Sequence, residues 1–250
     1  MFLLRKFWAV YAVVLFLLLM TISLPVIGVN MAFWSGSKAL KRNIYYLHHV
    51  FTPSFLGLIG IRLKIRGEEK LDMHGSYVIV GNHRSSLDFI VNASAFPGVY
   101  RYLAKKELQK IPVFGWVVKK MCLTVDRSSA MSRARSVVAI KQQLAAGWSI
   151  FIYPEGSRNT GEAALGPFFD GAFRIAIQTG APLAVQTLIN VRDVISPTRS
   201  VDLRPGVLHI VWDEPIETAG MTAADIPALK ERVEKMMTAH FQGSSKYETT

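Results

Sequence analysis

Residues 77–96 read YVIVGNHRSSLDFIVNASAF. The apolar run in 77–83 predicts a buried strand that ends in polar residues. Residues 85–96 read as the helix that follows, with Ser85 or Ser86 able to cap it. The same alternation extends in both directions. Upstream, Ile61, Leu63 and Ile65 alternate with Arg62, Lys64 and Arg66, the period of a half-exposed strand. Downstream, strands are expected at 99–105, 122–126, 148–156, 182–190 and 206–212. Helices are expected at 129–147, 171–180 and 225–241, with a broken helix at 106–120 around Pro112 and Gly115. Gly147 and Gly180 are placed to stop two of them. Strands alternating with helices predict an α/β fold, a mixed and mostly parallel sheet covered by helices. In such sheets ligands collect beyond the carboxyl ends of the strands. Two strands end there in concentrated polar signatures, GNHRSSLD at 81–88 and YPEGSRN at 153–159.

The amino-terminal region follows different rules. The 28 residues from 7 to 34 contain no Asp, Glu, Lys, Arg or His, and their first half is apolar on every face. About 20 such residues suffice to cross a hydrocarbon core as helix. Arg5 and Lys6 precede the run, and Lys38, Lys41 and Arg42 follow it, so charge bias favours neither side. The run is too long for a cleaved signal and closes on no small-x-small site. Pro25 and Gly28 are expected to interrupt it. Residues 43–61 again lack carboxylates, Lys and Arg, but hold His48, His49 and Pro53. Two such segments either span a bilayer or dip into one leaflet and return. The adjacent histidines are not spaced as metal ligands and read as packing or interfacial residues. The expected division is a membrane-anchoring helical segment at 1–60, an α/β domain at 61–241 and a flexible tail at 242–250.

Charge is placed unevenly. The chain of 250 residues carries 29 Lys and Arg against 18 Asp and Glu, a net +11. Residues 1–67 hold eight basic residues and no acidic one, and residues 101–135 sum to +7. Because the most charge-biased region contains the apolar run, anionic membrane lipids rather than nucleic acid are the expected partner. One cysteine, Cys122, excludes an internal disulfide framework and sits in an apolar stretch that predicts a buried thiol. No Walker A, dinucleotide or H-E-x-x-H pattern is present, so neither a nucleotide cofactor nor a metal is expected.

The polar tips carry the chemistry. A five-residue separation across a strand-to-helix turn can return the Asp88 carboxylate to the His83 imidazole, fixing its tautomer and leaving one nitrogen as a base. A hydrogen-bonded turn histidine satisfies the same spacing. At the second tip, backbone amides around Gly156 and the fork of Arg158 suit phosphate oxygens. A turn with a local Glu155–Arg158 salt bridge is the alternative. Lys105, Lys106 and Lys110 form a further basic cluster.

Four blocks together resemble the membrane-bound glycerolipid acyltransferases, the bacterial 1-acylglycerol-3-phosphate acyltransferases in particular. They are GNHRSSLD at 81–88, AKKELQKIPVFGW at 104–116 with TVDR at 124–127, FIYPEGSRN at 151–159, and APLAV at 181–185. The resemblance covers roughly residues 60–215. It implies that His83 activates an acceptor hydroxyl and Asp88 supports it. It assigns the acceptor phosphate to Lys105, Arg158 and Arg127, with Glu155, Gly156 and Ser157 shaping the site and Asn82 near the base. The implied reaction moves a fatty acyl group from an acyl-carrier-protein or coenzyme A thioester to the 2-hydroxyl of lysophosphatidate, giving phosphatidate. The implied location is the cytoplasmic side of a bacterial inner membrane, with the acyl thioester as substrate and no cofactor. Three departures bear on the acceptor: Ser157 replaces a threonine, Phe169 and Asp170 stand where relatives often carry lysine, and Gln186 replaces a proline. Another lysolipid, a hydroxy amino-acid lipid or glycerol 3-phosphate therefore stays open as acceptor. A membrane-surface lipid-binding protein is the non-enzymatic alternative.

Overall fold

The computed structural model describes residues 2–126, 128–196 and 202–243. The chain opens with α1 (Phe2–Phe33), followed by α2 (Gly36–Tyr46) and α3 (Thr52–Leu58), the last two joined by a π-helical turn at Leu47–Phe51. The expected interruption of the apolar run does not occur: α1 continues through Pro25, which with Gly28 lies on its exposed face. Packing on both sides of the proline holds the helix together. The Ser23 hydroxyl pairs with that of Tyr46 at 3.0 Å, and Asn43 on α2 donates to the Ile27 carbonyl at 3.5 Å.

Seven strands form one sheet in the order β1-β7-β6-β2-β5-β3-β4. They are β1 (Ile61–Arg66), β2 (Val78–Gly81), β3 (Tyr100–Lys105), β4 (Leu123–Val125), β5 (Ser149–Ile152), β6 (Leu183–Leu188) and β7 (Gly206–Trp212). Every neighbouring pair is parallel except β6 and β7. The central strands β2, β5 and β6 are buried at every position, as strands covered on both faces must be. Edge strand β1 turns Arg62, Lys64 and Arg66 to solvent, which discourages pairing with another chain.

The remaining helices are α4 (Asp88–Ala95), α5 (Phe114–Met121), α6 (Ala130–Ala145), α7 (Gly171–Thr179), α8 (Val191–Val194) and α9 (Ile226–Gln242). Helix α4 starts later than its sequence suggests. Neither Ser85 nor Ser86 caps it; the Ser85 hydroxyl instead accepts the Leu87 amide at 3.0 Å. The single turn α8 is too short to show a period in sequence. One core lies between the sheet and α6, α7 and α9, and Met20 and Ile27 of α1 reach into it. A second packs Ala9 and Ala12 of α1 with α3, α4, β1 and β7. Thus α1 buries one stripe along most of its length and leaves the other faces exposed.

Candidate active site

Strand β2 ends at Gly81, where a Cβ would stand 2.7 Å from the Phe151 ring. The next side chain, Asn82, is buried and imitates a strand neighbour. Its Oδ1 accepts the Leu188 amide at 2.8 Å and its Nδ2 donates to the Leu188 carbonyl at 2.9 Å. Both ends of that amide are therefore committed to fastening the tip of β2 to β6, which corrects the expectation that Asn82 bonds near the base.

The turn that follows closes on Asp88, which is fully buried at the start of α4. Its Oδ2 accepts three bonds: from the Arg84 amide at 2.6 Å, the Ser85 amide at 2.8 Å and His83 Nδ1 at 2.9 Å. Burial pushes the Asp88 carboxyl upward in pKa; the bonds from His83 and Ser85 and the charge of Arg158 pull against it. Because Oδ2 already accepts two backbone amides, it meets the ring as an acceptor, so Nδ1 of His83 is the donor in this bond and the neutral ring turns Nε2 outward as its free acceptor. The imidazole stacks on Tyr153, with ring centroids 3.9 Å apart and planes within 15°. Asn92 on α4 fixes that tyrosine by donating to its hydroxyl at 3.0 Å.

The second tip clamps the backbone of His83. Buried Glu155 accepts the His83 amide on Oε1 at 2.7 Å and the Gly166 amide on Oε2 at 2.8 Å, while the Asn159 amide donates to the His83 carbonyl at 2.7 Å. Burial raises the Glu155 pKa, and the two amides partly offset it. No Glu155–Arg158 salt bridge forms among the described residues: the carboxylate turns inward and Arg158 outward. Gly156 takes a left-handed φ of 69°, and its amide donates to the Tyr153 carbonyl at 3.0 Å. The Ser157 amide donates to the Glu155 carbonyl at 2.8 Å, so these two amides close the loop and do not wait for phosphate. Exposed Ser157 and Arg158 remain at the rim. Arg158 makes no hydrogen bond or ion pair with the described residues, yet its charge reaches Asp88. Lys105 is exposed at the carboxyl end of β3, the same edge of the sheet. Arg127 lies outside the described residues.

Sequence reading missed Arg84. Its guanidinium is buried and donates to the carbonyls of Gly161, Ala163 and Ala164, pinning the loop that leads to Gly166. Its available signal was a cation inside the 81–88 turn with no acidic residue beside it. Of the sequence departures, Phe169 covers Gly156, where an added Cβ would meet its ring at 3.0 Å, and Asp170 pairs with Lys230 on α9 at 3.1 Å. Gln186 is buried on β6, with no partner for its amide among the described residues.

An apolar cavity of about 80 Å³ lies between α1 and the aromatic side chains next to the site. Phe89, Tyr102, Phe114 and Met121 line it, together with Phe16 and Met20 of α1. Tyr102 joins the cavity to His83 through Tyr153: its hydroxyl donates to the Phe89 carbonyl at 2.7 Å, and its ring stacks 6.3 Å from that of Tyr153. Cys122 also borders the cavity, with burial pushing its thiol up to about 11, so it is protonated and not a nucleophile. No cluster suited to a metal ion occurs among the described residues.

A family model described as Acyltransferase matches residues 62–188, the span that holds both tips. The chain belongs to this acyltransferase family. The human 1-acyl-sn-glycerol-3-phosphate acyltransferase alpha is 27% identical over 90% of this chain and 77% of its own length. The human beta enzyme is 30% identical over 78% of this chain and 70% of its own. The Saccharomyces cerevisiae 1-acyl-sn-glycerol-3-phosphate acyltransferase is 30% identical over 72% of this chain and 60% of its own. The crystal structure of the 1-acyl-sn-glycerophosphate (LPA) acyltransferase PlsC from Thermotoga maritima superposes with a TM-score of 0.80, covering 99% of this chain and 96% of that one. At 18% identity that likeness concerns the fold. Among the described residues one helix, Leu3–Phe33, is long and apolar enough by length and composition to cross a membrane, a feature that points to membrane association.

Proposed function

We propose that this acyltransferase moves a fatty acyl group from a thioester to the 2-hydroxyl of 1-acylglycerol 3-phosphate, giving phosphatidate. The observation that carries the reading is the doubly clamped His83. Asp88 holds its ring nitrogen, and Glu155 holds its backbone amide, beside an uncommitted Arg158. Nε2 of His83 takes the proton of the acceptor hydroxyl as that oxygen attacks the thioester carbonyl. The tetrahedral intermediate expels the thiolate, which recovers the proton from His83 and leaves as a thiol. Asp88 stabilises the imidazolium between these events. General-base assistance of this kind contributes about 10²–10⁴-fold, and positioning of the two substrates supplies much of the remainder. Arg158 and Lys105 receive the acceptor phosphate, and the sequence block that holds Arg127 is the further candidate for it.

The donor is an acyl carrier protein or coenzyme A thioester. The basic segment 101–135 suits either acidic donor as a steering surface. We place the enzyme on the cytoplasmic side of a bacterial inner membrane, with α1 lying within one leaflet. Contacts along α1 favour that placement over a crossing. Arg5 near its start pairs with Asp202 at 3.1 Å, the Trp8 indole donates to the Ile59 carbonyl at 3.0 Å, and Asn30 near its end donates to Asn43 at 2.9 Å. Near its start α1 is fastened to the α/β domain, and further along Met20 and Ile27 share that domain's core, which favours a helix lying along the domain over one leaving it to cross a hydrocarbon core about 30 Å thick.

The test is an acceptor panel of lysophosphatidate, lysophosphatidylcholine, a lyso amino-acid lipid and glycerol 3-phosphate, offered with both thioesters to the full-length enzyme. Phosphatidate formed preferentially from lysophosphatidate supports the reading. Equal or better use of an acceptor without a phosphomonoester contradicts it.

A further inference from the structure

A second groove, sharing no residue with the apolar cavity, lies where the end of α1 meets α2. It has a volume of about 620 Å³ and is bordered by Val26, Asn30, Lys41, Arg42, Val50 and Met73. Arg42 is held on two sides. Its guanidinium lies 3.9 Å from the Trp34 ring centroid, and its Nε donates to Asn30 Oδ1 at 3.4 Å. Asn30 is itself fixed by donating to Asn43 at 2.9 Å. The two terminal nitrogens of Arg42 have no hydrogen bond or ion pair among the described residues. Lys41 rests over the Trp148 ring at 5.4 Å, likewise without an acidic partner there. Residues 1–67 contain no carboxylate side chain to neutralise either cation. Asp72, next to the groove, accepts the His74 amide on Oδ1 at 2.9 Å. A pre-oriented guanidinium with its fork open is the arrangement that takes a phosphate through two parallel bonds.

The rest of the groove is apolar and faces outward: Val26, Val50 and Met73 are 39%, 47% and 49% exposed. Val26 belongs to the outer face of α1, so the groove is continuous with the surface placed in the leaflet. We propose that this groove is a binding site for an anionic glycerophospholipid of the surrounding bilayer. Its headgroup phosphate sits in the fork of Arg42 beside Lys41, and an acyl chain lies over Val26, Val50 and Met73. The site is separate from the one that binds substrate. The inference rests on the membrane placement of α1 and not on the identity of the acyl acceptor.

The experiment measures retention of phosphatidylglycerol, against phosphatidylcholine, by the full-length protein in neutral detergent, using native mass spectrometry. The parent protein is expected to retain phosphatidylglycerol in preference. Arg42→Gln is expected to weaken that retention about tenfold, the loss of a charge-assisted bond, and Arg42→Lys to restore part of it. Lys38→Gln removes one charge from the same helix outside the groove, and retention is expected to be unchanged. Equal weakening by Arg42→Gln and Lys38→Gln would reduce the effect to general surface charge and overturn the proposal, as would unchanged retention in Arg42→Gln. Displacement of the lipid by inorganic phosphate as readily as by phosphatidylglycerol would overturn the lipid assignment. His83→Ala is expected to retain the lipid as the parent does, so loss of the catalytic reading and loss of this one are distinguishable.

Discussion

The polar strand tips and the amino-terminal helices touch each other but are held by opposite means. At the tips of β2 and β5, Asp88, Glu155, Asn82 and Arg84 are buried polar residues, each bonded to backbone groups across the turns. Along α1 the contacts are mostly apolar. Phe16 alone meets Phe51, Phe55, Phe89 and Phe114 with ring centroids 5.5 to 6.5 Å apart. The difference teaches how precision is divided. Directional bonds at low dielectric fix one imidazole and its tautomer, whereas ring packing fixes the distance of a whole helix and tolerates small shifts. The two regimes meet at Phe89, one residue after Asp88, which is part of the aromatic cluster around Phe16.

Substitutions on each side should break this comparison differently. Of the two, the larger effect is expected from Asp88→Asn. An amide in place of the carboxylate cannot accept all three donors in the same way, so the His83 tautomer is lost. Acyl transfer should fall by about 10²-fold or more, and stability in a denaturant titration by about 3 kcal/mol. Phe16→Ala, on the apolar side, should cost about 3 kcal/mol in the same titration through cavity formation. Its effect on the transfer rate should be smaller than that of Asp88→Asn. A stability unchanged by Phe16→Ala would mean that α1 is an appendage and not part of the core.

The same contrast governs what could be read from sequence. His83 and Asp88 are close in the chain and close through one turn, so their pairing is legible at 2.9 Å without any knowledge of the sheet. The strand-and-helix alternation is legible for the same reason, since each period is local. Glu155 bonding the His83 amide spans 72 residues, the Arg84 strap to Ala163 spans 79, and the Asn82 strap to Leu188 spans 106. None of those partners is implied by spacing, and Arg84 escaped notice altogether. Helix α1 failed differently. With apolar residues on every face, nothing in the sequence marks the stripe of Ala9, Ala12, Met20 and Ile27 that the fold buries. Pro25 signals a break only when neighbouring contacts do not hold the helix on both sides.

Smaller effects sharpen the account at the rim. Arg158→Ala should raise KM for a phosphate-bearing acceptor about tenfold with little change in kcat, and leave a phosphate-free acceptor unaffected. Equal KM changes for both acceptors would remove Arg158 from the phosphate site. The smallest effect concerns Glu155. Its native pKa lies above 4.5, so the folded protein holds this proton more tightly than the unfolded chain does. The resulting stabilisation is full below pH 4.5 and is lost as pH rises through the native value. Glu155→Gln should flatten that part of the dependence of Tm on pH, read by thermal melts across the acidic range. An unaltered slope would show that Glu155 does not titrate with folding.

The central claim is that His83 Nε2 removes the proton of the acceptor hydroxyl. Transfer of a radiolabelled acyl group to lysophosphatidate by full-length His83→Ala, compared with the parent under identical detergent conditions, tests it most directly. The account predicts a loss of about 10²–10⁴-fold in kcat with the fold retained. Transfer at the parental rate would contradict it.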